Sequence, residues 1–121
     1  MRGTLVVLMI LVFGACSPAM TRRMNVAALI TSTALLACDG AQTAKMAGEK
    51  WRTTWERNPV MGATPDTTTV GVYFASAVLI NAAVWAVLPE RYRAVLPAAV
   101  TGVEARTIAD NAARTGWCGL D

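Results

Sequence analysis

Four apolar runs punctuate this chain, and the polar positions within and between them set the expected architecture. The first, TLVVLMILVFGAC over residues 4–16, follows a single Arg2. A dozen or so apolar residues make a helix of only about 20 Å, short of a hydrocarbon core of about 30 Å. A basic start, a short apolar stretch and small residues before Cys16 fit a secretory or lipoprotein signal. Residues 1–19 are therefore expected to form a hydrophobic, signal-like helix or an upstream extension, with a short uncleaved helix ended by Pro18 as the alternative. A second set of start signals follows. Met20 and Met24 flank Arg22 and Arg23, ahead of the uncharged run Val26–Cys38, so translation beginning at Met20 or Met24 is a further reading.

The stretch LLACDGAQT (residues 35–43) turns abruptly polar after Cys38. Leu and Ala before the cysteine satisfy a lipoprotein signature, which makes Cys38, like Cys16, a candidate lipidation site. Against cleavage, Asp39, Gln42 and Thr43 are spaced i, i+3, i+4 and project from one helical face. Helix formers continue beyond them, so we read one continuous helix that carries a carboxylate, an amide and a hydroxyl inward. The third run, Val70–Leu88, has no charge over a length sufficient to span a bilayer. Thr64 as cap, Pro65 at the first helical position and Asp66 at the dipole mark its start. Gly71, Ala75, Ala82 and Ala86 form a small-residue stripe suited to close helix packing, and Asn81 near mid-span needs a partner. The fourth run, from about residue 94 to 114, is amphipathic. Glu104, Arg106, Asp110, Asn111 and Arg114 lie on one side, and Gly102, Ala105, Ile108, Ala109 and Ala112 on the other. It is expected to cross with its polar face inward, the alternative being an interfacial helix.

Between the second and third runs, Trp51 and Trp55 are spaced i, i+4 and suit a headgroup zone. Asn58-Pro59 and Gly62 with Pro65 are turn chemistry. If each span crosses once, Arg22 and Arg23 share a side with Arg91 and Arg93, expected to be the cytoplasm. Cleavage of the leader would instead translocate Arg22 and Arg23.

Composition agrees with the patterning. Of 121 residues, 55% are apolar and 16% charged, and the mean hydropathy is +0.42. A soluble domain of this size must cover a large surface with polar groups. The net charge of +3 is scattered, without the basic stripe of a nucleic-acid binder. There is no histidine, which removes Ser-His and Cys-His catalysis and the usual zinc sites. Three dispersed cysteines imply no disulfide framework, although Cys38 and Cys118 fall near one face in this topology. No cofactor loop or metal-ligand spacing is present, and the chain is not expected to be an enzyme.

The order Asp39-x-x-Gln42-Thr43, then Glu56-Arg57-Asn58-Pro59-x-x-Gly62-x-x-Pro65, then Tyr73-Phe74, Leu88-Pro89, Glu104 and Asn111 resembles a family pattern. It is similar to the small, uncharacterised three-helix membrane proteins of bacteria and their phages, which carry D-x-x-Q-T followed by E-x-N-P-x-x-G. The likeness covers roughly residues 30–112 and implies an integral helical membrane protein, with no activity attached. The tail ARTGWCGLD lies outside it.

The expected fold is thus all-α: a transmembrane bundle of three core helices, at about 25–50, 65–88 and 94–114, within one domain over residues 20–121. Asp39, Gln42, Thr43, Asn81, Glu104 and Asn111 are expected to meet in an intramembrane polar cluster. Glu56, Asn58, Pro59, Gly62 and Pro65 form the loop motif, with Glu56 and Asn58 expected as helix caps. Such a cluster either pins helix packing or binds a ligand or relays protons. The expected role is a small structural or interaction protein of the bacterial inner membrane, multi-pass. Its partners would be the lipid bilayer and a second copy or another membrane protein, and no nucleic acid. A holin-like pore former and a lipoprotein anchored at Cys38 or Cys16 are the alternatives.

Overall fold

A computed structural model describes residues 17–51, 55–56 and 58–115. Residues 1–16 of the expected leader, with Cys16, lie outside the described residues, as do Arg57 and Cys118. Among those described the chain is all-helical: α1 (Pro18–Gly48), α2 (Thr67–Val87), a single 3-10 turn (Glu90–Tyr92) and α3 (Val95–Thr115).

Each boundary has a local cause. Helix α1 begins earlier than expected because Ser17 caps it, its side chain accepting from the Met20 N–H, with Pro18 at the first turn where no N–H is needed. It runs through Cys38 and Asp39 without a break, as the spacing of Asp39, Gln42 and Thr43 predicts. It ends in a Schellman motif. The Trp51 N–H donates to Met46 O and the Lys50 N–H to Ala47 O, both at 3.0 Å. Lys50 and Trp51 take positive φ, 57° and 53°, a conformation usually left to glycine. The helix therefore does not reach Trp55, and the expected helical pairing of Trp51 with Trp55 is absent. Trp51 instead donates its indole N–H to Pro65 O at 2.9 Å.

Asp66, rather than Thr64, is the N-cap of α2, accepting from the Thr69 N–H at 2.7 Å. At the far end Leu88 is extended because Pro89 follows it. Arg93 covers the exposed carbonyls there, donating to Leu88 O at 2.9 Å, and its guanidinium lies 5.1 Å from the Trp85 ring. Pro97 falls in the first turn of α3, where its missing N–H costs nothing.

Helix α1 is the centre of the bundle. It packs against both other helices along its length, whereas α2 and α3 meet only sparsely. Gly40 faces Phe74, Ser32 faces Asn81 and Asn25 faces Glu90, so α2 runs antiparallel to α1. Helix α3 returns alongside α1, bringing Asn111 to Asp39. The ends bearing Arg22 and Arg23 and the turn with Arg91 and Arg93 thus share one end of the bundle. Leu36, Val70 and Phe74 form a small apolar core.

The small-residue stripe of α2 is not in this core. Gly71, Ala75 and Ala86 face outward and Ala82 is only half-buried. The inward face is Val70, Phe74 and Asn81, so the stripe does not mediate packing inside the bundle. On α3, Gly102, Ala105 and Ala109 likewise face outward. Among the described residues, α1 and α2 are long and apolar enough to cross a membrane.

Candidate functional site

The face that α1 turns inward is polar. Thr21, Asn25, Ser32, Asp39, Gln42 and Thr43 are all buried, alongside Leu36 and Met46. Asn25, Ser32, Asp39 and Met46 recur every seven residues, the interval that returns a helix to the same seam against its neighbours. Three stations along this seam each meet a different partner.

At the first, the Asn25 side-chain N–H donates to Glu90 O at 2.7 Å, and the Trp85 indole donates to Asn25 O at 3.1 Å. At the second, Asn81 of α2 donates to the Ser32 hydroxyl at 2.8 Å, and that hydroxyl donates to Leu29 O at 3.0 Å. Ser32 is 0% exposed and Asn81 2%. At the third, Asn111 of α3 donates to Asp39 Oδ1 at 2.9 Å and accepts from Arg114 at 2.8 Å. Glu104 of α3 neighbours Asp39.

The expected single cluster is therefore two. Asp39, Glu104 and Asn111 come together, with Gln42 and Thr43 buried one turn further along α1. Asn81 belongs to the Ser32 station, seven residues away along α1, about 10 Å at helical rise. The reason is register: a helical wheel gives Asn81 its direction but not its depth against α1. Asn25, Ser32 and Trp85 are site residues outside the expected cluster, and the seven-residue recurrence of Asn25, Ser32 and Asp39 is the signal that finds the first two; Arg114, read from the sequence as part of the polar side of α3, joins the site through Asn111.

The loop motif is a self-bonded turn. Glu56 accepts from the Asn58 N–H at 2.7 Å, Asn58 Oδ1 accepts from the Val60 N–H at 3.0 Å, and the Glu56 N–H donates to Ala63 O. Glu56 and Asn58 thus cap a loop rather than a helix end. Gly62, at φ 82°, occupies the left-handed position that turn requires, and Pro65 is buried. Cys38 is half-buried within the unbroken part of α1.

Between α2 and α3 runs a groove of about 440 Å³, floored by Leu36 and walled by Tyr73, Ala77, Ile80, Asn81, Leu96, Val100 and Glu104. Asn81 Oδ1 and Glu104 Oε2 are both closed off and without a hydrogen-bond partner. A smaller cavity of about 90 Å³ adjoins Gln42, Met46 and Thr115. Among the described residues, no group of His, Cys, Asp and Glu has the makings of a metal site. Comparison with protein-family models, curated proteins and solved structures finds no match to this chain.

Proposed function

We propose that this chain is a multi-pass integral protein of the bacterial inner membrane that serves as a structural or interaction component and not as an enzyme. The single observation that carries this reading is an inverted polarity. The bundle buries Asn25, Ser32, Asp39, Gln42, Thr43, Asn81 and Asn111 while Ile30, Val72, Leu79, Ile80, Val87 and Val103 lie outside. In water each of those apolar side chains forgoes roughly 1.5–3 kcal/mol of burial. Six of them together would forgo roughly 9–18 kcal/mol, comparable to the whole stability of a small domain, about 5–15 kcal/mol. Lipid around the bundle removes that penalty and gives the inward polar groups their reason, since a polar group facing hydrocarbon needs an internal partner.

In this reading α3 crosses beside α1 with Glu104 and Asn111 turned inward. The shared end with Arg22, Arg23, Arg91 and Arg93 faces the cytoplasm. The outward stripe of Gly71, Ala75 and Ala86 supports association with a second copy or another membrane protein. The resemblance of the D-x-x-Q-T and E-x-N-P-x-x-G motifs to small membrane proteins of bacteria and phages accords with it. Fractionation of expressing cells tests the reading. The chain is expected in the membrane pellet after alkaline carbonate washing and in solution only with detergent. A folded, monodisperse chain in detergent-free buffer refutes it.

A further inference from the structure

We propose that the outer face of α1 at its basic end binds an anionic phospholipid, its phosphate between Arg22 and Arg23 and one acyl chain along Val26, Ala27 and Ile30. The inference rests on the membrane reading above, which puts this end of the bundle among the headgroups of the cytoplasmic leaflet. An open groove of about 530 Å³ marks the place, lined among the described residues by Ala19, Arg22, Arg23, Val26, Ala27 and Ile30. All six are exposed, so a lipid reaches them from the bilayer without unpacking the bundle.

The order of these residues along the helix matches the order of parts in a lipid. They follow one another at intervals of three and four, so they form a single stripe. The arginines come first, at the headgroup end, and Ile30 lies about 12 Å deeper than Arg22 at helical rise. Ala27 is small, and beside it Val26 and Ile30 stand 40% and 64% exposed, which leaves a trough for an alkyl chain. Charge supplies the selectivity. At the same end Arg93 is engaged with Leu88 O and the Trp85 ring, and Arg91 lies 4.8 Å from the Tyr92 ring. Among the described residues neither Arg22 nor Arg23 has an ion-pair or ring partner. Glu90 is the acidic residue of the adjoining turn, which Asn25 holds against α1, so this end stays net positive. Guanidinium groups take phosphate oxygens in pairs, and basic clusters beside a span attract anionic lipids. A zwitterionic headgroup brings its own cation to the same arginines and is held less well.

The test uses the full chain in neutral detergent micelles. The Arg22 and Arg23 side-chain Nε–H groups and the Ala27 and Ile30 backbone N–H groups are followed by nitrogen-15 NMR. Phosphatidylglycerol, phosphatidylcholine of equal chain length and inorganic phosphate are titrated in turn. The expected result is a saturable shift at all these groups with phosphatidylglycerol, and affinity about fivefold weaker for phosphatidylcholine, which lacks the net charge. Arg22→Gln and Arg23→Gln, read at Ala27, should each weaken phosphatidylglycerol about fivefold. Arg91→Gln, at the same end but off the groove, should change it by about twofold or less, since solvent screens a distant charge. Ala27→Trp at its exposed position, checked for fold by circular dichroism, should fill the trough and abolish the saturable shift at Ile30. Equal affinity for the two lipids, or an Arg91→Gln effect as large as that of Arg22→Gln, would overturn the proposal, because a diffuse basic surface or a bare acyl contact gives those results. Inorganic phosphate binding as tightly as the lipid, or an Ile30 shift that survives Ala27→Trp, would overturn it too, since the trough then contributes nothing. A chain that requires detergent yet shows no preference for phosphatidylglycerol refutes this site alone; a chain that stays folded in solution without detergent refutes the reading beneath it and this site with it.

Discussion

Replacing Leu79 with lysine separates lipid from water as the medium around this bundle. Leu79 lies in the middle of α2 and is 70% exposed. If water surrounds it, Leu79→Lys is a surface change within about 0.5 kcal/mol of neutral, and it improves solubility. If lipid surrounds it, a favourable leucine is exchanged for a lysine at the centre of a span, a difference of about 3–4 kcal/mol in insertion free energy. That corresponds to two orders of magnitude or more in the insertion equilibrium, at about 1.4 kcal/mol per tenfold. Val87→Lys is the matched control. Val87 is more exposed, at 80%, but is the last residue of α2. A lysine there carries its charge to the interface along its own stem, so about 1 kcal/mol or less is expected. The assay is the fraction of chain resisting carbonate extraction, with an appended glycosylation acceptor reporting translocation. A large loss for Leu79→Lys beside a small one for Val87→Lys is the expected pair. Equal, small effects at both positions would refute the reasoning, since exposure alone would then govern both.

Three further perturbations follow from particular contacts. A Cβ on Gly40 would sit 3.0 Å from Phe74 Cγ, so Gly40→Ala should cost about 1–3 kcal/mol by overpacking; in thermal melts in micelles most of that cost should vanish in a Phe74→Leu background. Lys50 holds the left-handed C′ position of the Schellman motif, so Lys50→Gly should raise stability by about 1 kcal/mol, and an unchanged or lower melting temperature counts against the motif. The Thr69 backbone N–H holds the exposed Asp66 carboxyl below its ordinary value of 3.8. A depressed folded-state value stabilises above the ordinary value and is lost as pH falls through the folded one. Melts from neutral to acidic pH should therefore show a decline below about pH 4 that is smaller in Asp66→Asn.

The sequence made the helices legible because long uncharged runs ended by Pro and Asp admit few other readings, and the i, i+3, i+4 spacing of Asp39, Gln42 and Thr43 located one buried face. What it hid has specific causes. The end of α1 bears no glycine at the C′ position, so nothing in the chain announced that Trp51 would leave the helix. The small residues of α2 suggested a packing face, yet each follows an inward residue by one position: Gly71 after Val70, Ala75 after Phe74, Ala82 after Asn81. One residue is about 100° of helical rotation, enough to turn Gly71 and Ala75 outward and leave Ala82 half-buried. The pairing of Asn81 with Ser32 rather than with Asp39 depended on the offset between two helices, which no single-helix pattern contains.

That offset is set by polar contacts. In the proposed membrane setting, lipid tails are as apolar as leucine, so burial of Leu36 or Val70 against another helix would discriminate weakly between registers. Hydrogen bonds worth about 0.6–2 kcal/mol each would discriminate more sharply there, because slipping one helix by a turn would leave donor and acceptor unpaired. Helix α1 offers three such stations at seven-residue spacing, Asn25 to the Glu90 turn, Ser32 to α2 and Asp39 to α3. Every other element is therefore fixed by α1 and none by its opposite neighbour. Helices α2 and α3 are each pinned in depth without having to pack on one another, and their sparse mutual contact is the consequence. The groove between them arises from a seam that satisfies α1 first.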